Sequence, residues 1–297
     1  LSTDAAADYF VLGLKTIADD FPEMLALAAE LLRSPAFPVD ELELEKRQTI
    51  YAIRSQFEQP FAIAFEQLRQ ALYGSHPYAV SILGTEASAA TLQREDLVSF
   101  HDRYFRPDNA TIAISGSLDI GSVIALVEAT LGDWDIPLLP LPGLDLPRLK
   151  RYPARVATAQ DSQQAIAMLG YPAAAVRDRS GSPHPDYAAL KLASTYLGNG
   201  LSSRLFVELR EKQGLAYDVS AMYPTRWSTS FFAVYLGTAP DNLPIALASL
   251  QGEVDRLSSH RLDPDDLLVS QQKLLGQYAL GKPVSYTHLR AHETVLD

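Results

Sequence analysis

The sequence predicts an α+β protein built from two tandem homologous domains, and three observations carry that expectation. Stretches with apolar residues at helical spacing are interspersed with short runs in which apolar and polar residues alternate, the pattern of half-buried strands. Asp135-Ile-Pro-Leu-Leu-Pro-Leu-Pro-Gly-Leu-Asp-Leu-Pro147 places four prolines between positions 137 and 147. Proline at that density can neither continue a helix nor sit in a central strand, so this segment reads as a stiff, extended linker. Finally, Leu14-Lys-Thr-Ile-Ala-Asp-Asp-Phe-Pro22 is echoed by Leu236-Gly-Thr-Ala-Pro-Asp-Asn-Leu-Pro244. Each copy follows a strand-like run (9–14, 231–236) and precedes an amphipathic helix starting near Glu23 or Ile245. A second helix start follows each, at 37–42 and 262–267. Agreement in order, element type and spacing is what duplication of one α+β unit produces. The expected domains are 1–136 and 151–283, joined by a linker at 137–150 and followed by a tail at 284–297.

In the first half, residues 60–73 read as a helix with Ala62, Phe65, Leu68 and Leu72 on one face, broken by Gly74-Ser-His-Pro-Tyr78. A helix is expected over 94–105, a strand over 109–115 from its alternation, and a helix over 119–131. The second half holds the most informative stretch, Leu201-Ser-Ser-Arg-Leu-Phe-Val-Glu-Leu-Arg-Glu-Lys-Gln-Gly-Leu-Ala-Tyr-Asp-Val-Ser-Ala221. Ser202 or Ser203 is the expected helix N-cap, and Leu205, Val207 and Leu209 supply its apolar stripe. Gly214 is the expected stop just after Lys212, whose charge suits the negative end of a helix. Leu215, Tyr217, Val219 and Ala221 then alternate as a strand. Arg210 falls in the last turn of the helix and Tyr217 on the strand leaving it, so the turn can bring a guanidinium and a phenol to one lip of a cleft.

Composition narrows the function classes. The chain has 297 residues, 47% of them hydrophobic, with 25 basic and 36 acidic residues and a net charge of −11. A chain this long buries about three quarters of its unfolded surface. The acidic balance argues against a nucleic-acid or anionic-membrane partner and would suit a cationic peptide. No apolar run reaches the ~18 residues that span a bilayer. With no cysteine there is neither a disulfide nor a thiol nucleophile. No secretory signal is visible, and the compartment is left open: cytoplasmic or periplasmic for a bacterial source. Residue 1 is Leu, from which a missing upstream segment is expected. Gly198-Asn-Gly200 lacks the Lys-Ser/Thr of a P-loop, so nucleotide binding is rejected.

The segment from Ser203 to Tyr217 resembles the pitrilysin/insulinase family of inverted-zincin metallopeptidases, which carries an Arg and a Tyr in the setting S-R-L-x-x-x-L-R-E-x-x-G-L-A-Y. In the first half His76-Pro-Tyr78, Leu83-Gly-Thr85, Asp96-Leu97, Phe100-His101, Tyr104, Arg106-Pro-Asp-Asn109 and Gly116 resemble the same family's first domain. The resemblance is nearly continuous over 9–283. It implies mainly antiparallel sheets packed with helices in a half-bowl. It also implies that Arg210 and Tyr217 hold an extended peptide backbone and polarise the carbonyl under attack.

That family holds zinc with H-x-x-E-H and a Glu from a later helix. No Glu-His dipeptide occurs here. Leu42-Glu-Leu-Glu-Lys-Arg-Gln-Thr-Ile-Tyr-Ala-Ile-Arg-Ser55 resembles the family's ligand helix, with Glu45 on its first acidic position. The ligand is expected two turns on, where Ala52 stands. A methyl group cannot coordinate zinc; a shifted register would move the role to Glu58 or Glu45. The resemblance therefore implies a subunit without its own metal, similar to one half of a mitochondrial-processing-peptidase-like pair. A metal-bearing homologous partner would supply zinc and this chain would supply Arg210 and Tyr217. The alternatives are a non-catalytic scaffold of the same fold and a fragment of an active enzyme. His76, His101, His184 and His260 read as structural. His288 and His292 fall in a tail that resembles adapter-derived sequence and is expected to be an assembly artefact.

Overall fold

The computed structural model describes residues 1–147, 149, 154–178 and 180–280. In chain order the elements are β1 (Ser2–Ala5), β2 (Phe10–Gly13), α1 (Phe21–Arg33), α2 (Val39–Phe57), α3 (Pro60–Tyr73), α4 (Glu86–Thr91), α5 (Arg94–Tyr104) and α6 (Ile120–Leu131). Then come β3 (Ala165–Ala173), α7 (Tyr187–Gly198), a π-helix (Phe206–Lys212), β4 (Asp218–Met222), β5 (Ser230–Thr238), α8 (Leu243–Ser259) and α9 (Pro264–Leu280), with short 3₁₀ turns between some of them. Helices pack with antiparallel sheets, the α+β class expected. Among the described residues no helix is long and apolar enough to cross a membrane. Contacts divide the chain into two units, one chiefly of Leu1–Ile53 and Ile82–Asp145, the other of Arg54–Ser81 and Leu146–Ala279. This grouping interleaves segments along the chain, whereas the expected 1–136 and 151–283 are contiguous. One of the several changes between the units along the chain, after Asp145, falls in the proline-rich stretch.

In the first unit β1 and β2 form a hairpin, Ser2 opposite Gly13 through Ala5 opposite Phe10. Helix starts here are locally encoded. Thr85 and Ser88 cap α4 reciprocally, and Asp119 accepts the Ser122 N–H at 2.8 Å to start α6. Helix α1 packs against α6, and Arg33 donates to Asp133 at 2.6 Å. His101 is buried with its Nε2 2.8 Å from the Leu32 carbonyl, a structural role as expected. Buried Arg106 donates to the Asp108 carboxylate at 2.5 and 2.8 Å and to the Leu139 carbonyl at 2.7 Å. The strand expected over 109–115 does not form: Pro107–Asn109 is a 3₁₀ turn, and residues 110–115 lie outside every ladder. Alternation yields a strand only where a neighbouring strand completes its hydrogen bonds, and this segment has none among the described residues.

The second unit is organised on β5, the central strand of the order β3-β5-β4, antiparallel on both sides. Eight of its nine residues are buried, so its two faces meet two cores. Phe231 and Ala233 face a cluster with Tyr73, Tyr78 and the α3 residues Phe65, Leu68 and Leu72. Phe232, Val234 and Leu236 face the larger cluster of Leu197, Leu205, Leu209, Ala246 and Leu250. Period-two alternation thus sorts one strand between two layers. His76 lies in the smaller layer, its Nδ1 accepting from the Tyr78 N–H at 3.1 Å and its ring against Tyr73 and Tyr78.

Candidate functional site

The larger core fixes the segment that bears Arg210 and Tyr217. Leu205 and Leu209 are fully buried, which anchors the π-helical turn against β4 and α8. The expected serine cap is absent. Ser202 Oγ accepts from Lys273 of α9 at 3.3 Å, while the buried Ser203 Oγ has no hydrogen-bond partner. The Ser203 N–H instead closes a turn onto the Gly200 carbonyl at 3.0 Å. Tertiary contacts hold this helix start, in place of a local cap.

The far end is wider than an α-helical ending. The Leu215 N–H donates to the Leu209 carbonyl at 2.8 Å, one residue further than in a Schellman closure. Gly214 sits at φ +64°, the left-handed geometry expected of the stop residue. Lys212 donates to Glu208 at 2.9 Å across one turn. The Tyr217 N–H then donates to the Gly237 carbonyl at 2.8 Å, joining the segment to β5 just before β4 begins. The alternation expected over 215–221 breaks here, because Ala216 and Val219 are the buried residues and Tyr217 is 59% exposed.

Arg210 is exposed, with its guanidinium carbon 4.9 Å from the Phe206 ring centroid. Among the described residues neither the Arg210 guanidinium nor the Tyr217 hydroxyl has a hydrogen bond. The two residues stand on one helix–turn–strand segment, but no contact joins them to each other. What the geometry provides is a planar array of N–H donors and one phenolic O–H, both free to meet a ligand.

Behind this segment the chain is clamped from two sides. Ser220 Oγ of β4 donates to the Gly198 carbonyl at 2.7 Å, and Lys273 of α9 donates to the Asn199 carbonyl. Arg204 donates to both oxygens of Glu253. Burial lowers the Arg204 pKa, but the hydrogen bond and charge of Glu253 outweigh it and the net direction is upward. A cavity of about 140 Å³ lies between these groups, lined by Thr195, Ser202, Arg204, Glu208, Ser270 and Lys273, and it includes neither Arg210 nor Tyr217.

The Glu208 carboxyl is held below the ordinary value of 4.5 by the hydrogen bond from Lys212, opposed by burial and helped by the charge of Arg204. A depressed folded-state pKa stabilises the fold above the unfolded value, and that contribution is lost as pH falls through the folded value. The wild type is therefore expected to lose stability more steeply than Glu208→Gln between neutral pH and pH values below 4.5, read from urea midpoints. Parallel pH profiles would remove Glu208 from the balance.

Residues tied to metal by resemblance lie in the first unit. Glu45 is exposed on α2, and Ala52 is a half-buried position two turns on, beside Tyr51 at 75% exposure. Among the described residues no group of three or more His, Asp or Glu comes together to hold an ion. At Ala52, where the resemblance expects an oxygen donor, the methyl group offers no lone pair to an ion. His184 Nδ1 accepts from the Asp186 N–H and His260 Nδ1 meets Ser259, both local contacts. His288 and His292 lie outside the described residues. Two features were missed in the sequence, the π-helical turn and the bond from Lys273 to the turn before it. The Phe206–Arg210 pair was visible as an aromatic and a cation at i and i+4.

Residues 91–274 match the family model described as the peptidase M16 inactive domain. An uncharacterized zinc protease of Mycobacterium tuberculosis is 25% identical over 269 residues, covering 89% of this chain and 60% of the relative. One from Bacillus subtilis is 26% identical over 256 residues, covering 86% and 60%. A crystal structure of a peptidase M16 inactive domain from Pseudomonas fluorescens aligns with TM-score 0.73 at 27% identity, over 88% of this chain and 62% of that one. A protease from Helicobacter pylori aligns with TM-score 0.78 at 20% identity, over 89% and 64%, which is a likeness of fold. The chain thus spans about 60% of the length of the curated relatives it matches.

Proposed function

This chain belongs to the peptidase M16 family, in the part described as its inactive domain, and from that premise we propose that it is the substrate-holding subunit of a zinc metalloendopeptidase pair. The observation that carries the reading is chemical. Arg210 and Tyr217 are exposed donors with no internal hydrogen bond, in the setting Ser203-Arg-Leu…Leu209-Arg-Glu…Gly214-Leu-Ala-Tyr217, while Ala52 occupies the position where a ligand Glu is expected. Exposed donors without an internal partner, on a segment anchored by the buried Leu205 and Leu209, are suited to an extended peptide, whose carbonyls are acceptors. Arg210 would take a substrate carbonyl, and Tyr217 would donate to the oxygen on which charge develops. A homologous, metal-bearing partner would supply the ion and its general base. The repeat also fits this reading as tandem duplication: β2 leads into α1 and α2, as β5 leads into α8 and α9.

Zinc content and peptide cleavage, each measured on the purified full chain with and without a homologue bearing an intact H-x-x-E-H, test the proposal. The chain alone should carry no stoichiometric zinc and cleave nothing, and cleavage should appear on pairing. Stoichiometric zinc with cleavage by the chain alone would make it a part of an ordinary active enzyme. Stable pairing that leaves the homologue's turnover unchanged would make it a scaffold.

A further inference from the structure

We propose that Phe206 is a positioning residue for Arg210, a ring over which the guanidinium is held without engaging its donors; this rests on Arg210 being the peptide-holding group. The geometry is specific. Phe206 opens the π-helical turn, is half-buried and packs against the larger core, so its ring is held in place. Arg210 follows one turn later with its guanidinium carbon 4.9 Å from the ring centroid, within the range of cation–π attraction.

Glu208, two residues before Arg210, is engaged by Lys212 at 2.9 Å and lies 3.6 Å from Arg204. Arg210 makes no hydrogen bond or ion pair among the described residues. Attraction to the ring engages none of the five N–H donors, which stay available for a carbonyl or carboxylate of a bound peptide. A long arginine in water samples many rotamers and loses that freedom on binding. A ring beneath it removes much of this cost in advance, the usual gain from preorganisation.

The full chain tests this with a fluorescein-labelled, unstructured peptide followed by anisotropy, alongside the Arg210 Nε–Hε resonance of the free protein by NMR. Phe206→Leu keeps apolar bulk and removes the aromatic face, whereas Phe206→Tyr keeps the face. In the wild type and Phe206→Tyr the resonance should be shifted upfield by the ring current; in Phe206→Leu it should not. Peptide binding should weaken about two- to fivefold in Phe206→Leu and be restored in Phe206→Tyr. In an Arg210→Gln background Phe206→Leu should add no further loss, because the ring has nothing left to hold. An additive loss in that background, failure of Phe206→Tyr to restore binding, or absence of the upfield shift overturns the inference while leaving Arg210 as the ligand. Peptide binding unchanged by Arg210→Gln, with the ring-current shift intact, overturns the function reading and the ring's purpose together.

Discussion

Gly198→Ala is expected to destabilise the protein by about 3 kcal/mol, at the upper end of the cost of overpacking, and to lower the yield of folded chain. Gly198 is the last residue of α7 and is buried against β4. A methyl there would stand 1.8 Å from the Ala221 nitrogen and 2.6 Å from both the Ala221 Cβ and the Ser220 carbonyl carbon. Two of those atoms are backbone, so no rotamer change relieves the clash. Strand and helix must part, at the expense of the Ser220–Gly198 hydrogen bond and the packing of the fully buried Leu197. The displaced strand is the one that leaves Tyr217. Gly252→Ala serves as the opposite case, since a Cβ there meets nothing within 4 Å in the middle of α8. It should stabilise by about 0.5–1 kcal/mol through helix propensity. Urea midpoints of the two variants at constant m-value decide the matter; equal midpoints would show that the approach of α7 to β4 is not tight.

Tyr217→Phe is expected to lower turnover of the reconstituted peptidase pair at least about tenfold, because removal of one oxyanion donor costs on the order of 3 kcal/mol in the barrier. The substitution is clean. Tyr217 is 59% exposed and its hydroxyl bonds to nothing among the described residues, so the fold loses no interaction. Stability should match the wild type and the change should fall on kcat more than on KM, since the oxyanion exists only along the reaction. Unchanged turnover in a pair that still assembles removes Tyr217 from the chemistry. A loss accompanied by a lower urea midpoint would assign it to the fold.

Much of the helical framework was legible in the chain because its signals are local. Residues 60–73 carry a heptad-like apolar face and end at Gly74, and α3 occupies that span. Helix α6 begins where Asp119 can cap it, and β5 runs through the apolar segment Phe231 to Leu236. Local signals also misled. Residues 109–115 alternate as a strand should, yet a ladder needs a partner that the local sequence does not specify. Ser202 and Ser203 have the right chemistry for a cap, but Lys273, some seventy residues away, engages Ser202 and packing buries Ser203.

The candidate site divides along the same line. The order of residues alone determined that an arginine and a tyrosine flank a glycine stop at the end of a helix, a matter of spacing along the chain; that Ala52 stands where an oxygen ligand is expected is what the family resemblance implies. Only the tertiary structure decided that Tyr217 faces outward although the alternation puts it with Val219, and that α9 and β4 grip the turn from which this helix starts. Those outcomes depend on which buried surfaces meet, and on how far helix and strand can approach once Gly198 lies between them. No window of neighbouring residues contains that information.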